Sequence, residues 1–167
     1  MDSLTVRKKR REESRDRIIF LVTIGISAIL LVAAYGKWFY PAEWLKPLDR
    51  VIGIFEFLFV GFLLYARRLY KAWALAAFIF ASWGGYAYFW YQLSLPCHCM
   101  GELLRIPTGL SLGLDGLFWG IALSFIYGLG GGRRGVYWGC ACGVLGLGLG
   151  FLFASGVYTH FVIPQQG

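Results

Sequence analysis

The residues with the most chemistry in this chain are Leu95-Pro96-Cys97-His98-Cys99-Met100-Gly101. Cys97 and Cys99, one residue apart, can close a very small disulfide ring. Such a ring is strained, and strained disulfides are the readily reduced, exchange-competent ones. The residues from Met100 to Ile106 allow one or two helical turns, stopped before Pro107. The cysteines would then sit at a helix N-terminus, where backbone N–H groups favour the thiolate. Two other chemistries fit the same residues. One is a static disulfide or a pair of ordinary loop thiols. The other is a metal site built from Cys97, His98 and Cys99, with His160 as a distant fourth ligand, suited to zinc or a softer ion. Ligands this close in sequence do not easily share one tetrahedron, which weighs against the metal.

Other residues carry weaker signals. Cys140 and Cys142 form a second Cys-x-Cys inside an apolar run. On a helix they would be separated by about 200° of rotation, so each is expected to pack as a small hydrophobe on its own face. Glu56 also falls within an apolar run, where an ionisable group is costly and marks a functional candidate. Lys37 falls at a comparable depth. The two are expected to pair, with proton handling or a quinone-like site as the functional alternatives. Asp115 is expected to cap the start of the fourth helix.

The elements that must position these groups are hydrophobic helices. Hydrophobic residues make up 58% of the chain and charged residues 15%, with a mean hydropathy of +0.61. Soluble domains average about 45–50% and about 25%. The net charge of +7 does not point to nucleic acid. The basic residues gather in the run from Arg7 to Arg17, in Arg67/Arg68/Lys71 and in Arg133/Arg134, as they do in cytoplasmic flanks of membrane spans. The apolar run from Ile18 to Tyr35 is longer than the core of a cleaved signal peptide, so it reads as a retained first helix.

A hydrocarbon layer about 30 Å thick requires about 20 apolar residues of helix. Five segments approach that length: 18–40, 51–66, 72–93, 114–129 and 136–158, the second and fourth being short. They leave a basic cytoplasmic tail at 1–17 and a short outer tail at 161–167, around a bundle over 18–160. With the N-terminus inside, the inner flanks hold seven, three and two Lys/Arg, against four outside: Lys37, Lys46, Arg50 and Arg105. That asymmetry follows the positive-inside rule. Trp38, Tyr40, Trp44, Trp90 and Tyr91 form the outer aromatic belt, and Tyr65, Tyr70, Trp73, Tyr137 and Trp138 the inner one. Gly128–Gly135 is an inner hairpin turn without the Lys-Ser/Thr of a phosphate loop. Gly139, Gly143, Gly146 and Gly150 share one helix face and are expected to admit a neighbouring backbone, within the monomer or across a dimer.

Three stretches, taken together, resemble a known family. Gly36-Lys37 is similar to the step that ends the first helix of DoxX-like proteins. Phe55-Glu56-x4-Gly61-x2-Leu64 resembles the Glu-containing pattern of their second helix. Cys97-His98-Cys99-Met100-Gly101 resembles the Cys-x-Cys-Phe-Gly signature after the third helix of the methylamine-utilisation MauE branch, with Met100 in place of Phe. The charged N-terminal extension and the glycine-rich fifth helix depart from the family's four-helix core. The resemblance implies a redox-associated protein of the bacterial inner membrane. MauE-type proteins are implicated in maturing the disulfide-rich small subunit of methylamine dehydrogenase, and relatives elsewhere in more general thiol–disulfide traffic.

The expectation is therefore an all-α membrane protein, a DoxX-like bundle of four to five transmembrane helices in the inner membrane, with its N-terminus cytoplasmic. Cys97 and Cys99 would act on the outer face, with Glu56, Lys37 and His98 as polar binding residues. The expected partners are the lipid bilayer and an exported thiol protein or thioredoxin-like protein, with no nucleic acid. The sequence names no cofactor, leaving a quinone or a soft metal open, and it does not decide between an enzyme and an enzyme's partner. Soft-metal transport and a structural role in a respiratory complex are the competing readings.

Overall fold

A computed structural model describes residues 3–41, 45–95 and 106–162. Among these residues the chain is all-helical. The helices are α1 (Ser3–Phe39), α2 (Lys46–Ala66), α3 (Tyr70–Gln92), α4 (Thr108–Ile126) and α5 (Gly132–Val157). Two stretches, Glu12–Phe39 and Thr108–His160, are long and apolar enough to cross a membrane by length and composition.

Each helix starts earlier than expected, α2 at Lys46 rather than 51, α3 at Tyr70 rather than 72 and α5 at Gly132 rather than 136, and two of the starts are informative. The basic segment expected as a tail continues α1 as helix from Ser3. Its Arg, Lys and Glu residues are good helix formers, and Glu13 and Arg17 stand at the favourable i, i+4 spacing. Helix α4 begins at Thr108, six residues before the expected start, with Pro107 as its N-cap residue. Asp115 therefore lies two turns inside α4 and does not cap it. Gly109 and Gly113 do not prevent helix there, because glycine lowers helix stability by only about 1 kcal/mol and packing overrides that.

The connections show why the chain reverses where it does. After α2, Arg67 Nη1 donates to Leu64 O at 2.6 Å and Trp73 Nε1 donates to Arg67 O at 2.8 Å, which ties the corner to the start of α3. At the end of α3, Ser94 takes a left-handed φ of 54°. Leu95 N–H then bonds Trp90 O at 3.1 Å and Ser94 N–H bonds Tyr91 O at 3.0 Å. That pair of bonds is a Schellman closure. Between α4 and α5 the turn expected over Gly128–Gly135 is a kink at Tyr127–Gly131, where the helical path breaks at Gly130. Gly130 (φ 95°) and Gly132 (φ 54°) provide the left-handed backbone that an L side chain resists.

The helices alternate in direction. Helix α1 runs along α2, and α3 lies between α4 and α5. Trp73 meets Phe125 edge-on at 4.5 Å, and Phe80 meets Phe118 at 5.3 Å, which fixes the antiparallel α3/α4 pair. The glycine stripe packs within the chain. Gly139 and Gly143 face Leu123, Ile126 and Trp119 of α4, whereas Gly146 and Gly150 face the backbone of Phe78 and Ser82 in α3. The basic clusters all come to one end: Arg15 Nη1 donates to Gly128 O at 3.2 Å, and Arg68 pairs with Asp16 at 3.0 Å. The opposite end carries Lys37, Lys46 and the paired stems around Leu95 and Thr108, where Thr108 Oγ1 donates to Leu95 O at 2.9 Å.

Candidate functional site

Toward that opposite end the helices enclose a cavity of about 560 Å³. Its polar residues recur at helical spacing on each wall. On α2 they are Asp49 and Glu56, seven apart; on α4, Ser111 and Asp115; on α3, Ser82 and Tyr86; on α1, Lys37, above Ala33 and Leu30. Intervals of three, four and seven place side chains on one helix face, so each wall is polar for a local reason. The aromatic lining comes from Phe55, Trp83, Phe118 and Phe153. The volume lies within the range of about 300–1,000 Å³ typical of small-molecule sites.

The centre of the site is an ion pair. Lys37 Nζ donates to Glu56 Oε1 at 2.6 Å, and the two residues are 4% and 3% exposed. The pairing expected between them is thus formed. Glu56 lies ten residues into α2, about 15 Å along its axis at 1.5 Å per residue. Burial of either charge alone would cost several kcal/mol, and the pair offsets part of that. Gly53, one turn before Glu56, makes the approach feasible. A Cβ there would stand 3.1 Å from Ala34 O and 3.5 Å from Lys37 Cβ. The sequence contained this signal as a glycine three residues from a buried acid, but only the helix crossing gives it meaning.

The pair leaves one acceptor over. Glu56 Oε2 is buried with no hydrogen-bond partner among the described residues. Asp115 lines the same cavity and makes no hydrogen bond or ion pair among them, although Lys37 and Glu56 are near enough to act on it electrostatically. Ser82 is already committed, its Oγ donating to Phe78 O at 2.9 Å. The site can therefore bind an apolar body with a donor-rich head, or carry protons between carboxylates. Ser111 and Asp115 were not joined to Glu56 by sequence reasoning because they lie on another helix, and Asp49 was not because it precedes the apolar run expected from residue 51.

The remaining sequence candidates separate. Cys97, His98 and Cys99 lie outside the described residues, as do the helical turns expected after Met100 up to residue 105. His160 is exposed in a π-helical turn, Tyr158–Val162. Cys140 and Cys142 are free, half-buried thiols on α5. Among the described residues no group of three or more Cys, His, Asp or Glu side chains is arranged to hold a metal ion. Comparison of the chain with protein-family models, with curated proteins and with solved structures finds no match.

Proposed function

We propose that this chain is a multi-span protein of a bacterial inner membrane that exchanges thiols and disulfides on the outer face through Cys97 and Cys99, in the manner of MauE-like proteins. The membrane part of the reading rests on the outward face of the helices. Leu21, Phe57, Leu58, Val144, Leu145 and Leu152 are all more than half exposed, spread over α1, α2 and α5. Water-soluble monomers rarely leave so much contiguous apolar surface uncovered. Tyr65, Tyr137 and Trp138 crowd the end that carries the basic clusters, and Trp38, Phe39, Tyr40 and Tyr91 the other end, as aromatic belts do. Basic residues at one end of the bundle support an orientation with that end cytoplasmic.

The observation that carries the thiol reading is the closed base of the segment containing both cysteines. Thr108 Oγ1 on Leu95 O joins its two stems at the end opposite the basic clusters. Cys97 is two residues from Leu95, so a span of at most about 7 Å of extended chain separates it from that base. On this reading the pair acts near that base, within reach of exported thiols. The reaction is attack by a thiolate on a disulfide sulfur. One S–S bond breaks as the mixed disulfide forms, and the second thiol then releases the client. In the forward direction the Cys97–Cys99 disulfide is reduced to two thiols as two client thiols are oxidised.

Alkylation in intact cells tests this. A mass-shifting maleimide should label Cys97 and Cys99 after mild reduction and not before, and a Cys99→Ser variant should trap a mixed disulfide through Cys97. If the two thiols resist labelling under both conditions and a chelator exposes them, the site holds a metal and the redox reading fails. Cysteines placed singly by Arg10→Cys and Arg133→Cys in a background lacking the native thiols should be shielded from an impermeant reagent together. Labelling of only one of the two overturns the topology.

A further inference from the structure

We propose that the interhelical cavity is a binding site for a lipophilic cation, with the positive charge held between Glu56 Oε2 and Asp115 and the apolar body against Phe55, Trp83 and Phe118. The inference is independent of the cysteine chemistry, since none of these residues belongs to that segment.

The argument begins with charge. The cavity lining contains Glu56, Asp115 and one ammonium, Lys37, while Asp49, also in the lining, is engaged by interactions of its own. Lys37 is committed to Glu56 Oε1 at 2.6 Å. Glu56, only 3% exposed, borders a space of about 560 Å³, and its second oxygen is buried with no hydrogen-bond partner among the described residues. A closed structural ion pair would leave neither the oxygen nor the space, because buried polar atoms are normally satisfied and interiors are close-packed. A ligand that satisfies this lining must bring donors or positive charge. A neutral acceptor could take a hydrogen bond from the Ser111 or Tyr86 hydroxyl but would leave Glu56 Oε2 unsatisfied, and a phospholipid would place its phosphate against carboxylates. The aromatic faces of Trp83, Phe55 and Phe118 add a second attraction for a cation, since ring faces are electronegative.

Access is also built in. Helices α2 and α5 scarcely touch, and the lining residues Val51, Phe55, Leu149 and Phe153 on those helices are exposed at the outer surface of the bundle. A lipophilic ligand can enter between them from the apolar surroundings without crossing water.

The test is equilibrium dialysis of tritiated tetraphenylphosphonium against the purified full-length protein in detergent. This probe is a permanent cation with an apolar shell. One saturable site is expected, unaffected by excess triphenylphosphine oxide, which has a similar shell and no charge. Asp115→Asn should weaken binding at least tenfold while leaving the thermal unfolding midpoint in place, because Asp115 anchors no other residue. Absence of saturable binding to the wild-type protein overturns the proposal, as does displacement by the neutral oxide. Unchanged affinity in both Asp115→Asn and Glu56→Gln overturns it as well. None of these outcomes bears on the labelling of Cys97 and Cys99, so the two readings fail separately.

Discussion

Helix α3 takes part in two contacts of opposite character. Against α5 it forms a seam with backbone on backbone. A Cβ added at Gly150 would lie 1.8 Å from Ser82 O, and one at Gly85 would lie 2.1 Å from Leu147 O. No side chain fits between the helices at these two points, whereas nearer the end of α3 Phe89 packs edge-on against Phe151 at 5.2 Å. Toward α1, α2 and the first half of α4, the same helix borders the cavity that holds Lys37, Glu56 and Asp115. The seam is dry, apolar and without tolerance for added volume; the cavity is polar and partly empty. The difference shows a division of labour. Glycines fix the α3/α5 spacing so closely that the cavity wall is held in place, and the other wall need not pack against it. Ser82 belongs to both regions, since its carbonyl receives Gly150 and its side chain lines the cavity.

The largest effect is expected from the cavity side, by separating its ion pair. Lys37→Met or Glu56→Leu alone should each cost about 3–5 kcal/mol, because the remaining partner is a buried uncompensated charge. The double variant should recover most of that loss. Thermal unfolding of all three proteins in one detergent gives the comparison, and a double variant no better than the singles would mean that the two residues do not act as a pair.

The seam should break next. Gly150→Ala and Gly85→Ala force Cβ atoms onto backbone and are expected to cost about 1–3 kcal/mol, the usual range for overpacking. Gly148→Ala, on the same helix with no heavy atom within 4 Å of its Cβ, should instead gain up to about 1 kcal/mol through helix propensity. Opposite signs at neighbouring positions of α5 are the signature sought. If all three substitutions shift the unfolding midpoint equally, the seam is not where the structure puts it.

Smaller effects sharpen the contrast. Asp115→Asn should leave stability unchanged or raise it by on the order of 1 kcal/mol, since it removes a charge whose carboxylate has no ion-pair partner among the described residues. A clear loss of stability would assign Asp115 a structural partner instead. The least effect is expected from Arg68→Ala. Its pair with Asp16 at 3.0 Å is exposed, so about 0.2–1 kcal/mol is at stake, and added salt should erase it.

Several elements were legible from residue order alone because their causes are local. The apolar runs required helix, and the glycines at 130 and 132 required a break between two of them. The glycine face of α5 followed from spacing by three and four, since those intervals repeat on one side of any helix. Lys37 and Glu56 could be proposed as partners because a charge inside an apolar run needs an opposite charge. Helix ends were less legible. The helical basic segment of α1 follows the helix propensity of its Arg, Lys and Glu residues, whereas the early start of α4 runs against its glycines and comes from packing.

The tertiary structure decided the rest. Composition and spacing determined that the chain is helical, that its basic residues fall in three clusters, and that its one Cys-x-Cys outside the apolar runs sits between the third and fourth of those runs. Whether the glycine face serves the monomer or a dimer depended on which backbone lies opposite, and the chain supplies Phe78 and Ser82. Which acids share a site depended on how four helices cross. Asp49 and Glu56 share a face of α2 through their spacing of seven, but Asp115, 59 positions beyond Glu56, joins them only because α4 crosses to the same cavity. A helix sets the face a residue occupies through its own periodicity, but the neighbour of that face is set by contacts among segments that the sequence keeps far apart.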